Sequence, residues 1–260
     1  MSDVPGFKRS TFVHEARERD VFRAGQGPAV IVISEVPGIT PLVAGFAQRV
    51  ADTGFSVYLP QLFGTPMKPF SYGYAAEVVG KVCISREFRL LAANESSPVL
   101  DWLRALARQA HAECGGRGVG AVGMCLTGNF ALGMMLDAPV LAPVLSQPSL
   151  PIPLLPALRS ALHASPRAIA AAHDKIQKQD ARILGLRFHG DPYCPGARFK
   201  RLREEFGDAF EGIELSPRDA NPDGPWPPHS VLTNHLIDRD GEPTRAALDR
   251  TLAFLKEQLR

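Results

Sequence analysis

Cysteine is scarce in this chain: four residues in 260 (Cys83, Cys114, Cys125 and Cys194), all widely spaced. A chain of this length buries a core without covalent staples, so a disulfide framework is excluded and free thiols are expected. Long apolar runs are missing too. No stretch reaches about 18 uninterrupted apolar residues, and Met1 to Ser10 has no apolar segment of the secretory kind, so the expectation is a cytoplasmic protein without a membrane partner. Charge of one sign is absent: 29 Lys plus Arg oppose 27 Asp plus Glu for a net +2, and the basic residues are scattered from Lys8 to Arg260. That balance excludes nucleic acid and anionic surfaces as partners. Metal-ligand spacings are lacking as well, with neither C-x-x-C nor H-E-x-x-H, and His111, His173 and His235 stand isolated. The glycine-rich run Gly115 to Gly120 precedes a strand instead of following one, so its glycines cannot bring a phosphate to a helix N-terminus. No metal or organic cofactor is implied.

What the sequence does contain is an alternation of short apolar runs with helical patterns, in a chain that is 45% hydrophobic. Ala29 to Ser34 stays apolar without period-2 alternation, as a strand buried on both faces does. Strands are also expected at Phe55 to Leu59, Gly118 to Met124, Val140 to Ser146, Ile183 to His189 and Ile213 to Leu215. Helices are expected at Pro41 to Asp52 (apolar at Leu42, Phe46 and Val50), Pro98 to His111, Asn129 to Leu136 and Thr244 to Leu259. Ser165-Pro166 has the form of an N-cap followed by proline, opening a helix to about Gln179. Pro148, Pro151, Pro153 and Pro156 mark a surface excursion between Gln147 and Pro156. The fold class expected is a single α/β domain over 1–260, a mostly parallel sheet with helices on both faces. It carries an N-terminal extension (1–26) and the proline-rich excursion with its helix (147–180).

The chemistry gathers at strand exits. Gly123-Met-Cys-Leu-Thr-Gly128 lies at a strand-to-helix turn, where a nucleophile sits between small residues because the sharp backbone leaves no room for side chains. Gly123 fits this geometry; Thr127 stands where glycine is usual. A thiol at Cys125 needs a base, and the base needs a carboxylate to fix its tautomer. Asp191, in Gly190-Asp-Pro-Tyr-Cys-Pro195, follows a late strand, and His229 follows a proline-rich loop. Taken singly these are a buried thiol, a turn-forming Asp-Pro and a loop histidine. Their chain order, nucleophile then acid then histidine, favours nucleophilic catalysis. For Thr127 to fit the elbow it must lie in the first helical turn, with its side chain pointing away from the preceding strand and its hydroxyl bonded back to the carbonyl at 123 or 124. Glycine there is then expected to be tolerated.

Several stretches in order resemble the dienelactone hydrolase family, an α/β-hydrolase fold. They are Ser34-Glu-Val-Pro-Gly38, Ala51-Asp-Thr-Gly-Phe55, Leu59-Pro-Gln-Leu-Phe63, the Cys125 elbow, the Asp191 loop and His229-Ser230. The resemblance implies an ester or lactone hydrolase with Cys125, Asp191 and His229 as the triad. It further implies Glu35 in contact with the resting thiol, and the backbone N–H groups of Val36 and Leu126 as oxyanion donors. Arg86 and Ser230 would hold a carboxylate on the substrate. The implied partner is a small-molecule ester or lactone, acted on by a monomer or small homo-oligomer. The alternative is a non-catalytic ligand-binding or scaffold member of the fold, in which Thr127 spoils the elbow.

Overall fold

In a computed structural model that describes residues 3–84, 97–136, 138–149 and 159–260, Lys8–His14 and Arg17–Ala24 form strands β1 and β2 of an antiparallel hairpin. Its turn is made by Glu15 and Ala16, both left-handed at φ 46° and 59°, the geometry that lets a tight hairpin follow the twist of its strands. The segment read as an N-terminal extension is therefore built into the sheet. Strand β2 pairs antiparallel with β4 (Ser56–Pro60), and β4 pairs parallel with β3 (Ala29–Ile33). From β3 the sheet continues in parallel through β5 (Val119–Met124), β6 (Val140–Ser146), β7 (Ile183–Phe188) and β8 (Phe210–Leu215). The order across its eight strands is β1-β2-β4-β3-β5-β6-β7-β8.

The helices are α1 (Pro41–Asp52), α2 (Tyr72–Ile84), α3 (Pro98–Cys114), α4 (Gly128–Gly133), α5 (Pro166–Gln179), α6 (Gly196–Phe206) and α7 (Pro243–Leu259). Three of them start by one device. The hydroxyls of Thr40, Ser97 and Ser165 accept from the N–H groups of Val43, Leu100 and Ala168, and a proline follows each cap at the first helical position. In α1 the buried stripe is Val43, Phe46, Ala47 and Val50, whereas Leu42 is 50% exposed. The 3.6-residue period puts Val43, not Leu42, on the line running to Val50.

Strand β3 shows why helices cover both sheet faces. Ile31 and Ile33 point into a core that includes Trp102 and Leu103 of α3 and Phe130 of α4. Val30 and Val32 point into the opposite core, with Val43 and Phe46 of α1 and Leu255 of α7. Each such side chain contributes about 1.5–3 kcal/mol by leaving water. The excursion after β6 departs from expectation: Gln147, Pro148 and Ser149 are buried, Gln147 fully so. They fill the space beside the Cys125 elbow instead of running over the surface. Residues 150–158 lie outside the described part of the chain. No helix among the described residues is long and apolar enough to cross a membrane.

Candidate active site

Parallel strands leave their C-terminal ends along one edge of the sheet, where α/β proteins hold ligands. Glu35 follows β3, Cys125 follows β5, Gln147 follows β6 and Asp191 follows β7. Cys125 has φ 57°, a strained left-handed value for a non-glycine residue. The strain leads into a single 3₁₀ turn, Cys125–Thr127, and then into α4. Gly123 is indispensable to this turn, because a Cβ there would lie 2.1 Å from the Thr127 carbonyl oxygen. Gly128 admits the close approach of Pro148, whose Cα would stand 2.8 Å from an added Cβ.

Thr127 has helical dihedrals, φ −79° and ψ −10°, and its hydroxyl reaches Met124 O at 2.8 Å, as the elbow requires. It does not point away from the strand, however. The same oxygen accepts from Met124 N at 3.0 Å and lies 3.0 Å from Ile33 O and 3.2 Å from Ser34 O. One fully buried hydroxyl thus ties the elbow to the end of β3, the segment that leads into Glu35 and Val36.

The Asp191 side chain is fully buried. Its Oδ1 accepts from Tyr193 N at 2.9 Å and its Oδ2 stands 2.6 Å from His229 Nδ1. This bond leaves His229 Nε2 as the free face of the ring, buried and without a hydrogen-bond partner. Burial opposes protonation of His229, but its interactions with the Cys125 sulfur and the Asp191 carboxylate outweigh it. Together they hold the imidazole well above the ordinary histidine range. Tyr193 packs edge-on against the ring at 5.5 Å. His229, Cys125, Val36 and Leu126 line one cavity of about 320 Å³ together with Glu35, Ser149 and Ser230.

Glu35 is not on the thiol. Its carboxylate accepts from Ser230 Oγ at 2.6 Å, Gln147 Nε2 at 3.1 Å, Asn234 Nδ2 at 3.4 Å and the Thr233 hydroxyl. These donors lie on the loop after His229 and on the exit of β6, and none of the Glu35 hydrogen bonds runs to Cys125. Ser230, expected to hold a substrate carboxylate, is committed to this network by the same bond. The sulfur of Cys125 instead meets Ser149 Oγ at 3.1 Å. Ser149 is fixed by its N–H to Cys125 O at 3.0 Å and by Asn129 Nδ2 on its carbonyl at 2.8 Å. The buried Arg198 of α6 donates to the carbonyls of Pro148, just beyond β6, and Ala161, ahead of α5. Arg86 lies outside the described residues.

Sequence reasoning missed Ser149, Gln147, Thr233 and His235. His235 is 1% exposed; its Nδ1 accepts from Ser230 N at 3.0 Å and His229 N at 3.3 Å, and its Nε2 donates to Pro225 O at 2.8 Å. It therefore sets the backbone of the His229 loop, and burial holds its ring below the ordinary histidine range. Gln147 carried a signal: it is the first residue beyond a doubly buried strand, as Cys125 is.

A mixed, mostly parallel sheet wrapped by helices, with these residues at its strand exits, is an α/β-hydrolase fold. The sequence model of the dienelactone hydrolase family matches residues 18–211, and the chain belongs to that family. The match includes Glu35, Cys125 and Asp191 and stops before His229. A Klebsiella pneumoniae protein assigned as a dienelactone hydrolase superposes with TM-score 0.65 at 16% identity, over 96% of this chain and 98% of that one. A dienelactone hydrolase-like promiscuous phosphotriesterase from metagenomic libraries gives 0.61 at 17%, covering 98% of both chains. The dienelactone hydrolase of Anabaena variabilis gives 0.56 at 13%, over 99% of this chain and 100% of that one. No curated protein sequence matches the chain.

Proposed function

We propose that this hydrolase-family member cleaves a carboxylic ester or lactone, with Cys125 as nucleophile, His229 as base and Asp191 as the group that orients it. The observation carrying this reading is the 2.6 Å bond from Asp191 to His229 Nδ1, which leaves a buried, unpartnered Nε2 in the cavity that Cys125 lines. Sulfur attacks the acyl carbonyl, and its proton resides on His229. The oxyanion forms beside the N–H groups of Val36 and Leu126, the latter at the start of the turn after the nucleophile. Collapse expels the alcohol, which takes the proton from His229 and leaves a thioester. His229 then deprotonates a water that hydrolyses the thioester, releasing the acid and restoring Cys125.

The test is a panel of lactones and p-nitrophenyl esters against wild type, Cys125→Ala and His229→Ala in parallel. Turnover by wild type with loss of nearly all rate in both variants is expected, their folds unchanged by circular dichroism. Retention of most activity in either variant rejects the assignment.

A further inference from the structure

Resting on that acyl-transfer reading, we propose that the cavity selects uncharged esters with an apolar or aromatic acyl group, and that Glu35 makes it reject anionic ones. The orientation of Gln147 fixes the first part of the argument. Val231 N can only donate, and it meets Gln147 Oε1 at 3.3 Å, so Gln147 must present its NH₂ to Glu35. Asn234 Nδ2 faces the other carboxylate oxygen. Each oxygen of Glu35 thus receives an amide N–H, and two hydroxyls complete a donor set suited to a carboxylate anion. That anion forms part of the cavity wall.

Ser230 spends its only hydroxyl proton on Glu35 at 2.6 Å, so it has none to offer a substrate carboxylate. An acyl chain ending in a carboxylate would bring a further negative charge beside Glu35, in a partly enclosed site where the cationic ring of His229 is already paired with Asp191 and faces the Cys125 sulfur. Among the described residues, no lysine or arginine lines this cavity. Its outer wall is instead aromatic: Phe70, Tyr72, Tyr193 and Trp226. Trp226 is 78% exposed and Tyr72 64%, and Trp226 N donates to the Tyr72 hydroxyl at 2.9 Å, joining the two into one rim. Large aromatic surface left in water at a cavity mouth gains by covering with an apolar group.

Three probes decide the matter: p-nitrophenyl butyrate, p-nitrophenyl hemisuccinate (the same acyl length ending in a carboxylate) and p-nitrophenyl phenylacetate. Wild-type kcat/KM should favour butyrate over hemisuccinate on the order of 30-fold, as for two charges about 8 Å apart at an effective dielectric of about 20. Phenylacetate should equal or exceed butyrate, and Trp226→Ala should reduce its kcat/KM several-fold more than that of hemisuccinate. Glu35→Gln should remove most of the roughly 30-fold factor, narrowing the butyrate-to-hemisuccinate ratio by about tenfold or more. Equal or faster hemisuccinate turnover by wild type overturns the proposal, whether or not the variants fold, and leaves the acyl-transfer reading standing. An unchanged ratio in a folded Glu35→Gln also overturns it. Absence of Cys125-dependent turnover of all three esters overturns the acyl-transfer reading, and this proposal with it.

Discussion

Ser149 Oγ lies 3.1 Å from Cys125 Sγ, on a residue whose own backbone N–H is bonded to the Cys125 carbonyl. When the sulfur is ionised it can only accept, so the serine hydroxyl becomes a donor to the thiolate. A hydrogen bond to a charged group contributes about 1.5–3 kcal/mol. Ser149→Ala is therefore expected to slow alkylation of Cys125 by iodoacetamide at neutral pH about tenfold or more, and ester turnover with it. Peptide mapping reads the rate, with Cys194 as an internal control: it is fully buried, and burial pushes its thiol far up. An unchanged rate at Cys125 would show that the contact is packing alone.

Replacing Asp191 by Asn tests the orientation of the base. An amide NH₂ facing Nδ1 would stabilise the tautomer with its proton on Nε2, and that nitrogen could not accept from the thiol. By analogy with serine triads, kcat should fall on the order of 10⁴ while KM moves little. Steady-state kinetics on the best ester of the panel gives both numbers, and a loss below tenfold would move the acid role to another residue.

His235 gives a pH dependence with a definite sign. Its Nδ1 accepts two backbone N–H groups, which only the neutral ring can do. Burial lowers its folded pKa below the ordinary value of about 6.5, so the stability it contributes is present above that pH. It is lost as pH falls through the folded value. His229, raised in the fold, acts in the opposite sense and loses its contribution as pH rises. The variant His235→Gln isolates the first effect, and the urea midpoint of wild type should fall towards that of the variant between pH about 6.5 and 5. A constant difference over that window would mean that His235 does not titrate there.

What the sequence could disclose followed from burial pattern and chain order. Strands β3, β5, β6 and β7 are covered on both faces, and apolar runs, interrupted in β7 by Arg187, announce that directly. Cys125, Asp191 and His229 were singled out because each comes at or soon after an expected strand exit, in the chain order of the α/β-hydrolase fold. The β1–β2 hairpin was missed because its strands alternate charges and its turn is Glu15-Ala16, without the Asn-Gly that usually marks left-handed turn residues. The polar shell around the site was hidden for a different reason. Gln147 meets Glu35 across 112 residues and Thr233 meets it across 198, so no local pattern records either contact. The direction of the Glu35 side chain depends on those remote donors, and the family resemblance alone placed it on the thiol.

The elbow itself changes the expectation for Thr127. A glycine there restores the small residue usual at this position, which favours tolerance. Yet Thr127 is fully buried, its hydroxyl accepts from Met124 N at 3.0 Å, and its proton is shared between Met124 O and the carbonyls that end β3. Removing it leaves the Met124 N–H without that acceptor, a loss of about 1–3 kcal/mol, and helix propensity adds roughly half a kcal/mol for glycine. The tie also holds the segment leading to Val36 beside Cys125, so on the acyl-transfer reading activity should fall with stability. Thr127→Gly and the near-isosteric Thr127→Val are both expected to lower the urea midpoint and to cut kcat/KM at least tenfold. Thr127→Ser, which keeps the hydroxyl, should stay within a few-fold of wild type. If Thr127→Val matched wild type in both measurements, the hydroxyl would be a bystander, and the elbow and the end of β3 would be held together by packing.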